Sequence, residues 1–187
     1  MNKLSVAVIA IAVFTLTAFK PSASKLISKD AHISFFSHTA VEDITANNYK
    51  VVSTLNPTTG DIVYSVPMQS FEFDKALMQK HYNSSKFLDT KKYPKAKFTG
   101  KISDLASVDF TKDGSYEADI TGNLTIKDKT NPINEKATIT VKDGKVSLNT
   151  KMNLALGDYG ITFSGGKPST NIAKEIAVTV KAIYQQE

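Results

Sequence analysis

Residues 115–127 read SYEADITGNLTIK, and their side chains alternate without a break: Tyr116, Ala118, Ile120, Gly122, Leu124 and Ile126 against Glu117, Asp119, Thr121, Asn123, Thr125 and Lys127. A period of two belongs to a β-strand, whose successive side chains point to opposite faces of the sheet, so this stretch reads as a long strand with one buried face. Working outward, KVSLNTKMNLAL at 145–156 behaves the same way, with Val146, Leu148, Thr150, Met152, Leu154 and Leu156 on one side. The C-terminal stretch repeats it through Ile176, Val178, Val180, Ala182 and Tyr184. Shorter strands are expected at 33–36, 49–55, 62–66, 98–105 and 137–141.

The segments between them carry turn chemistry. NPTTGD at 56–61 and KDG at both 112–114 and 142–144 predict hairpins, because Gly and Asp tolerate the positive φ of tight reversals. Asp74 is placed to cap a short helix over 75–82, with Leu77, Met78 and His81 on one face, and a second helical turn is expected near 42–45. About eight antiparallel strands in simple hairpin order, with one short inserted helix, predict an all-β fold: a closed, eight-stranded up-and-down barrel. Closure removes the exposed edges that long strands would leave; a two-sheet sandwich is the alternative.

The inward set is almost free of charge. Its candidates are Ile62, Tyr64, Val66, Phe98, Ile102, Tyr116, Ile120, Leu124, Ile126, Ile139, Leu148, Met152, Val178 and Val180. These residues either pack the barrel solid or line a cavity for an apolar ligand, and eight strands permit both. Small inward residues at Gly100, Ala118, Gly122 and Ala137 leave room, yet they also suit a barrel's taper.

Composition narrows the chemistry. The chain has 187 residues, which fits one self-sufficient domain, and it contains no Cys and no Trp. Thiol nucleophiles, Cys zinc sites and iron–sulfur clusters are excluded. All 23 basic residues are Lys, and without Arg the planar fork that reads guanine edges is missing; nucleic acid is not an expected partner despite a formal charge of +5. The three histidines, His32, His38 and His81, make no recognisable metal or triad spacing: His32 and His38 would lie about 20 Å apart along an extended strand. GITFSGGKPST at 160–170 fails as a phosphate loop, with Ile161 where the first Gly belongs and Pro168 where a Ser or Thr should bind magnesium, and reads as an inter-strand loop. No catalytic residue, metal site or cofactor is predicted.

Residues 1–24 read as an address. Lys3 precedes a 16-residue apolar run from Leu4 to Phe19, then Lys20, Pro21 and small residues, which is signal-peptide anatomy with a cut expected after Ser24. The run is shorter than the roughly 20 residues that span a bilayer, although an uncleaved anchor is the other reading. Removing this segment takes Lys3 and Lys20 with it and lowers the formal charge from +5 to +3. A single domain over 25–187 remains, expected to be periplasmic or secreted.

After the helix the chain reads HYNSSKFLDTKKYPKAKFTGKI, and further on GNLTIKDKTNPI. His81, Ser84, Phe87, Asp89, Lys92, Tyr93, Pro94 and Phe98, followed by Gly122, Leu124, Thr125, Ile126, Thr130 and Pro132, resemble the motifs of the YceI-like family, and GDYGI at 157–161 is similar to its late D-F-G-I. The resemblance implies a lipocalin-like barrel whose tunnel accommodates an isoprenoid or similar aliphatic chain, with no catalytic residue. It favours the cavity over the solid core. It departs at the Arg residues that the family often has before the motif His and before D-F-G-I; here ALMQK at 76–80 and LALGDYGI at 154–161 have none. His81, Lys92 and Lys95 are the candidates for a ligand's head group at the mouth, although a run of lysines also suits a plain solvated face. The expectation is a non-enzymatic exported carrier, store or sequestering protein for an apolar lipid, isoprenoid-like or fatty-acid-like. The alternative is a filled-barrel interaction or stress-response module without a ligand. A transient membrane contact and a homodimer stay open.

Overall fold

The computed structural model describes residues 25–162 and 172–186. The strands are β1 (Leu26–His38), β2 (Asp43–Leu55), β3 (Asp61–Pro67), β4 (Glu72–Phe73), β5 (Lys95–Ile102), β6 (Gly114–Ile126), β7 (Lys129–Lys142), β8 (Lys145–Ala155) and β9 (Glu175–Gln186), with one α-helix, α1 (Ala76–Asn83). All but β4 pair in chain order, and β9 returns to β1, so eight antiparallel strands close a barrel. The sandwich is excluded by that closing ladder. β4 adds two residues to the edge that β2 exposes where β3 leaves it.

The alternation of 115–127 is realised: Ala118, Ile120 and Ile126 are buried while Glu117, Asp119 and Asn123 are exposed. The strands expected to be short at 33–36, 49–55 and 137–141 lie in the C-terminal halves of longer ones, 13, 13 and 14 residues in length. Local pattern understates β1 because its register shifts between Ser28 and Ala31 and again between Ala31 and Ile33, which breaks the simple period.

Turn chemistry is partly as expected. Asp143 and Gly144, with φ of 51° and 73°, make the two-residue β7–β8 hairpin, and Gly60 at 76° closes the β2–β3 loop. The KDG at 112–114 is no hairpin. Gly114 already belongs to β6, and residues 103–113 form a longer loop with a 3₁₀ turn at Leu105–Ser107 that covers one barrel end. Asp113 accepts the Asp143 N–H at 3.2 Å and so joins the two KDG segments to each other. Helix α1 starts one residue later than expected, after Lys75, with no side-chain cap, so Asp74 is not its capping residue. No helical turn forms near 42–45. The Thr39 hydroxyl accepts the N–H groups of Val41 and Glu42, a hairpin turn that hands the chain directly to β2.

The barrel is filled at one end only. Leu55, Val51, Ile102, Ile139, Val141, Val146 and Tyr184 are almost wholly buried around the β2–β3 loop and the 103–113 loop. At the other end, residues 68–93 arch across the opening, and this is where the interior is hollow. The signal segment and residues 163–170 of the loop read at 160–170 lie outside the described residues. No helix among the described residues is long and apolar enough to cross a membrane.

Candidate functional site: an apolar cavity in the open half of the barrel

The hollow half encloses a cavity of about 570 Å³, within the range of small-molecule sites. Strands β3, β5, β6, β8 and β9 supply much of its wall: Ile62, Tyr64 and Val66, then Phe98, then Ile120, Leu124 and Ile126, then Leu148 and Met152, then Val178 and Val180. Three other inward candidates do not line it. Ile102 and Ile139 are 2% and 0% exposed in the packed end, and the half-buried Tyr116 turns its hydroxyl to the Lys112 carbonyl at 2.9 Å. Period two finds the inner face, but height along the barrel decides whether an inward residue meets space or another side chain.

The floor is a polar relay in an apolar setting. Ser53 Oγ lies 2.8 Å from the Tyr184 hydroxyl, which donates to the Tyr64 hydroxyl at 3.0 Å. Burial pushes the Tyr64 phenol up and the Tyr184 phenol well up, because a phenolate would lose its hydration there. On one wall, Gly100 and Gly122 are cross-strand partners, and the Phe98 ring folds over them; a Cβ at either position would run into that ring. These glycines therefore leave no void. They make room for Phe98.

Residues 68–93 form the roof. Phe35 of β1 packs with Phe71, Phe73 and Tyr82 at ring-centre distances of 5.3, 5.8 and 6.2 Å, and Tyr82 also meets Phe71 and Phe73 at 5.7 and 5.0 Å. Such a cluster holds a two-turn helix that propensity alone would not sustain. The Tyr82 hydroxyl is buried with no hydrogen-bond partner among the described residues, and burial pushes its pKa well up. Leu77, Met78 and His81 complete the underside of α1, His81 at the exposed rim. Lys75 Nζ reaches Glu42 Oε1 at 2.6 Å and ties the helix start to the β1–β2 turn.

Of the three head-group candidates, only His81 borders the cavity. Lys92 lies on the outside, its ammonium 5.1 Å from the Tyr93 ring centre, and Lys95 is an exposed residue of β5 that does not line the space. Tyr93 also receives Lys127 at 5.6 Å, and Lys127 donates to the Phe87 carbonyl at 3.3 Å, so the YP segment is pinned to the β6–β7 turn. His32 stacks on Tyr49 and bonds Asn47, while His38 pairs with Asp43 at 2.6 Å; neither faces the cavity. Among the described residues no group of three His, Asp or Glu side chains could hold a metal ion. Sequence reading missed the aromatic roof, since residues 68–75 have no clear period, and it missed Glu135, an inward carboxylate in a strand whose pattern is weak there.

This architecture has known counterparts. The sequence matches the YceI-like domain family over residues 19–184. The chain belongs to the YceI-like family. A UPF0312 protein of Pseudomonas putida (strain W619) is 29% identical over 166 residues, covering 84% of this chain and 80% of the relative. Protein YceI of Salmonella arizonae is 27% identical over 137 residues, covering 70% of this chain and 66% of the relative. Among solved structures, a polyisoprenoid binding domain from Saccharophagus degradans implicated in plant cell wall breakdown superposes with a TM-score of 0.73 at 12% identity, covering 88% of this chain and 99% of that one. Burkholderia cenocepacia BcnA superposes at 0.67 with 16% identity, covering 83% and 96%. At those identities the likeness is one of fold. This YceI-like domain shares with them the closed antiparallel barrel.

Proposed function

We propose that this YceI-like domain is an exported, non-catalytic protein that holds a long apolar chain, isoprenoid-like or fatty-acid-like, inside its barrel for carriage, storage or sequestration. The carrying observation is the half-filled barrel: one end is packed to near-zero exposure, while the other keeps about 570 Å³ lined by aliphatic and aromatic side chains under an aromatic roof. Burying a methylene contributes about 0.8 kcal/mol, so a chain gains affinity by length with few polar contacts. The polyisoprenoid binding domain with the same fold supports the same ligand class. Export rests on the signal-like first 24 residues, and the mass of protein recovered outside the cytoplasm tests it: an intact Met1 on all of it removes the cleavage reading.

The direct test is solvent extraction and native mass spectrometry of gently purified protein, beside Val178→Trp, which puts an indole into the cavity from a half-buried position. Wild type is expected to release an apolar lipid or, once stripped, to take up a long-chain alcohol; the Trp variant is expected to do neither while keeping its thermal transition. Stripped wild type that takes up no alkyl chain at any accessible concentration overturns the reading.

A further inference from the structure

The ladder between β7 and β8 runs from Lys142↔Lys145 only as far as Ala137↔Thr150. Beyond that point the two strands keep their other neighbours: β7 stays paired with β6 down to Lys129, and β8 with β9 up to Ala155. The barrel wall therefore has a seam beside the cavity. It is closed below by the Thr150 hydroxyl donating to the Lys136 carbonyl at 2.7 Å, and bridged above by the Asn131 side-chain amide donating to the Asp158 carbonyl at 2.9 Å.

Glu135 sits at this seam on the inner face. It is half-buried and borders the cavity alongside Ile133 and Met152, and its carboxylate makes no hydrogen bond or ion pair with any described residue. Among the described residues the rest of the wall offers it no free lysine. The one ammonium bordering the cavity among the described residues, Lys75, is taken by Glu42, and Lys92 and Lys95 lie outside. A carboxylate facing apolar space accepts hydrogen bonds and attracts positive charge, and it repels a second anion in a medium that screens poorly.

We propose that Glu135 at the β7–β8 seam is the head-group determinant of the cavity, selecting apolar chains that end in a hydrogen-bond donor, an ammonium above all and a hydroxyl next, over chains that end in carboxylate or phosphate. This rests on the ligand-holding reading above. The aliphatic chain fills the space under the roof, and its donor head reaches Glu135, where strand edges without a ladder partner leave further carbonyls within the seam.

The test is displacement of a neutral fluorescent apolar probe from stripped protein by four ligands of equal chain length, below their micellar concentrations: an alkylamine, an alcohol, a carboxylate and an alkyl phosphate. Wild type is expected to prefer the amine over the carboxylate and the phosphate by about tenfold or more, the factor of a charge-assisted contact. Glu135→Gln is expected to collapse that preference to within about threefold while leaving probe binding and the affinity for the alcohol nearly unchanged. Anionic heads binding wild type as tightly as the amine, or a preference that survives in E135Q, overturns the assignment while the cavity reading stands. Failure of the neutral probe to bind overturns both.

Discussion

The Tyr184 hydroxyl donates to the Tyr64 hydroxyl at 3.0 Å across the cavity floor, between residues 120 positions apart in sequence. Tyr184 is fully buried, and its own oxygen meets Ser53. This contact joins β9 to β3 through the barrel interior and separates the packed end from the hollow one.

Tyr184→Phe removes the middle of the relay and leaves the Ser53 and Tyr64 hydroxyls facing an apolar ring. A loss of about 1–3 kcal/mol is expected, the cost of stranding buried hydroxyls. Urea unfolding should show it as a lower midpoint with an unchanged slope. A midpoint equal to wild type would mean that the relay contributes nothing to stability.

The same burial sets a pH dependence. Tyr64, Tyr82 and Tyr184 are all raised in the folded protein by desolvation, whereas the unfolded chain titrates near 10. Above about pH 10 the unfolded chain loses these protons first and the folded one keeps them, so stability is fully present below that pH and falls as pH rises past it. Thermal unfolding from pH 8 to 11.5 should therefore show a decline setting in near pH 10. The decline should be shallower in Tyr82→Phe, where one buried phenol is gone and the aromatic packing is kept; equal slopes would contradict this account.

At the Gly100–Gly122 pair the expected effect is steric. A Cβ on residue 122 would lie 2.5 Å from both the Gly100 Cα and the Thr99 carbonyl oxygen, and 2.8 Å from the Phe98 ring. Gly122→Ala should cost about 1–3 kcal/mol as overpacking. Because two of those contacts are backbone, adding Phe98→Ala should not restore the loss. Calorimetry on the single and double variants decides it: full recovery in the double would place the whole conflict on the ring.

The β6–β7 turn separates conformation from contact. Lys127 has φ of 56° and also clamps the Phe87 carbonyl and the Tyr93 ring. Lys127→Gly loses the clamp but fits the left-handed backbone, whereas Lys127→Ala loses the clamp and keeps the strain. The Gly variant should be the more stable by about 1 kcal/mol, read from urea midpoints; equal midpoints would show that this φ carries no penalty.

The alternation at 115–127 was enough to specify a long, half-buried strand, because a strand's two faces are set by neighbours in sequence. The same logic placed Val146, Leu148, Val178 and Val180 indoors and made a closed barrel the economical arrangement. It failed where function depends on distant partners. Lys92 and Lys95 read as head-group candidates or as a plain solvated face, and only the fold turns Lys92 onto Tyr93 and leaves Lys95 outside the cavity. Gly100 and Gly122 read equally as room in a cavity or as barrel taper, and the fold lays Phe98 over both.

Sequence by itself thus determined the strand faces, the apolar interior and the absence of thiol and guanidinium chemistry, since all of these are properties of residue type and local period. Only the tertiary structure decided which end of the barrel is hollow, that β7 and β8 part above Ala137 and Thr150, and that the Glu135 carboxylate stands at that seam without a partner among the described residues. The physical reason is that packing and charge compensation are settled between strands far apart in the chain, where height along the barrel and the extent of each ladder, rather than the alternation of either strand, determine what a side chain meets.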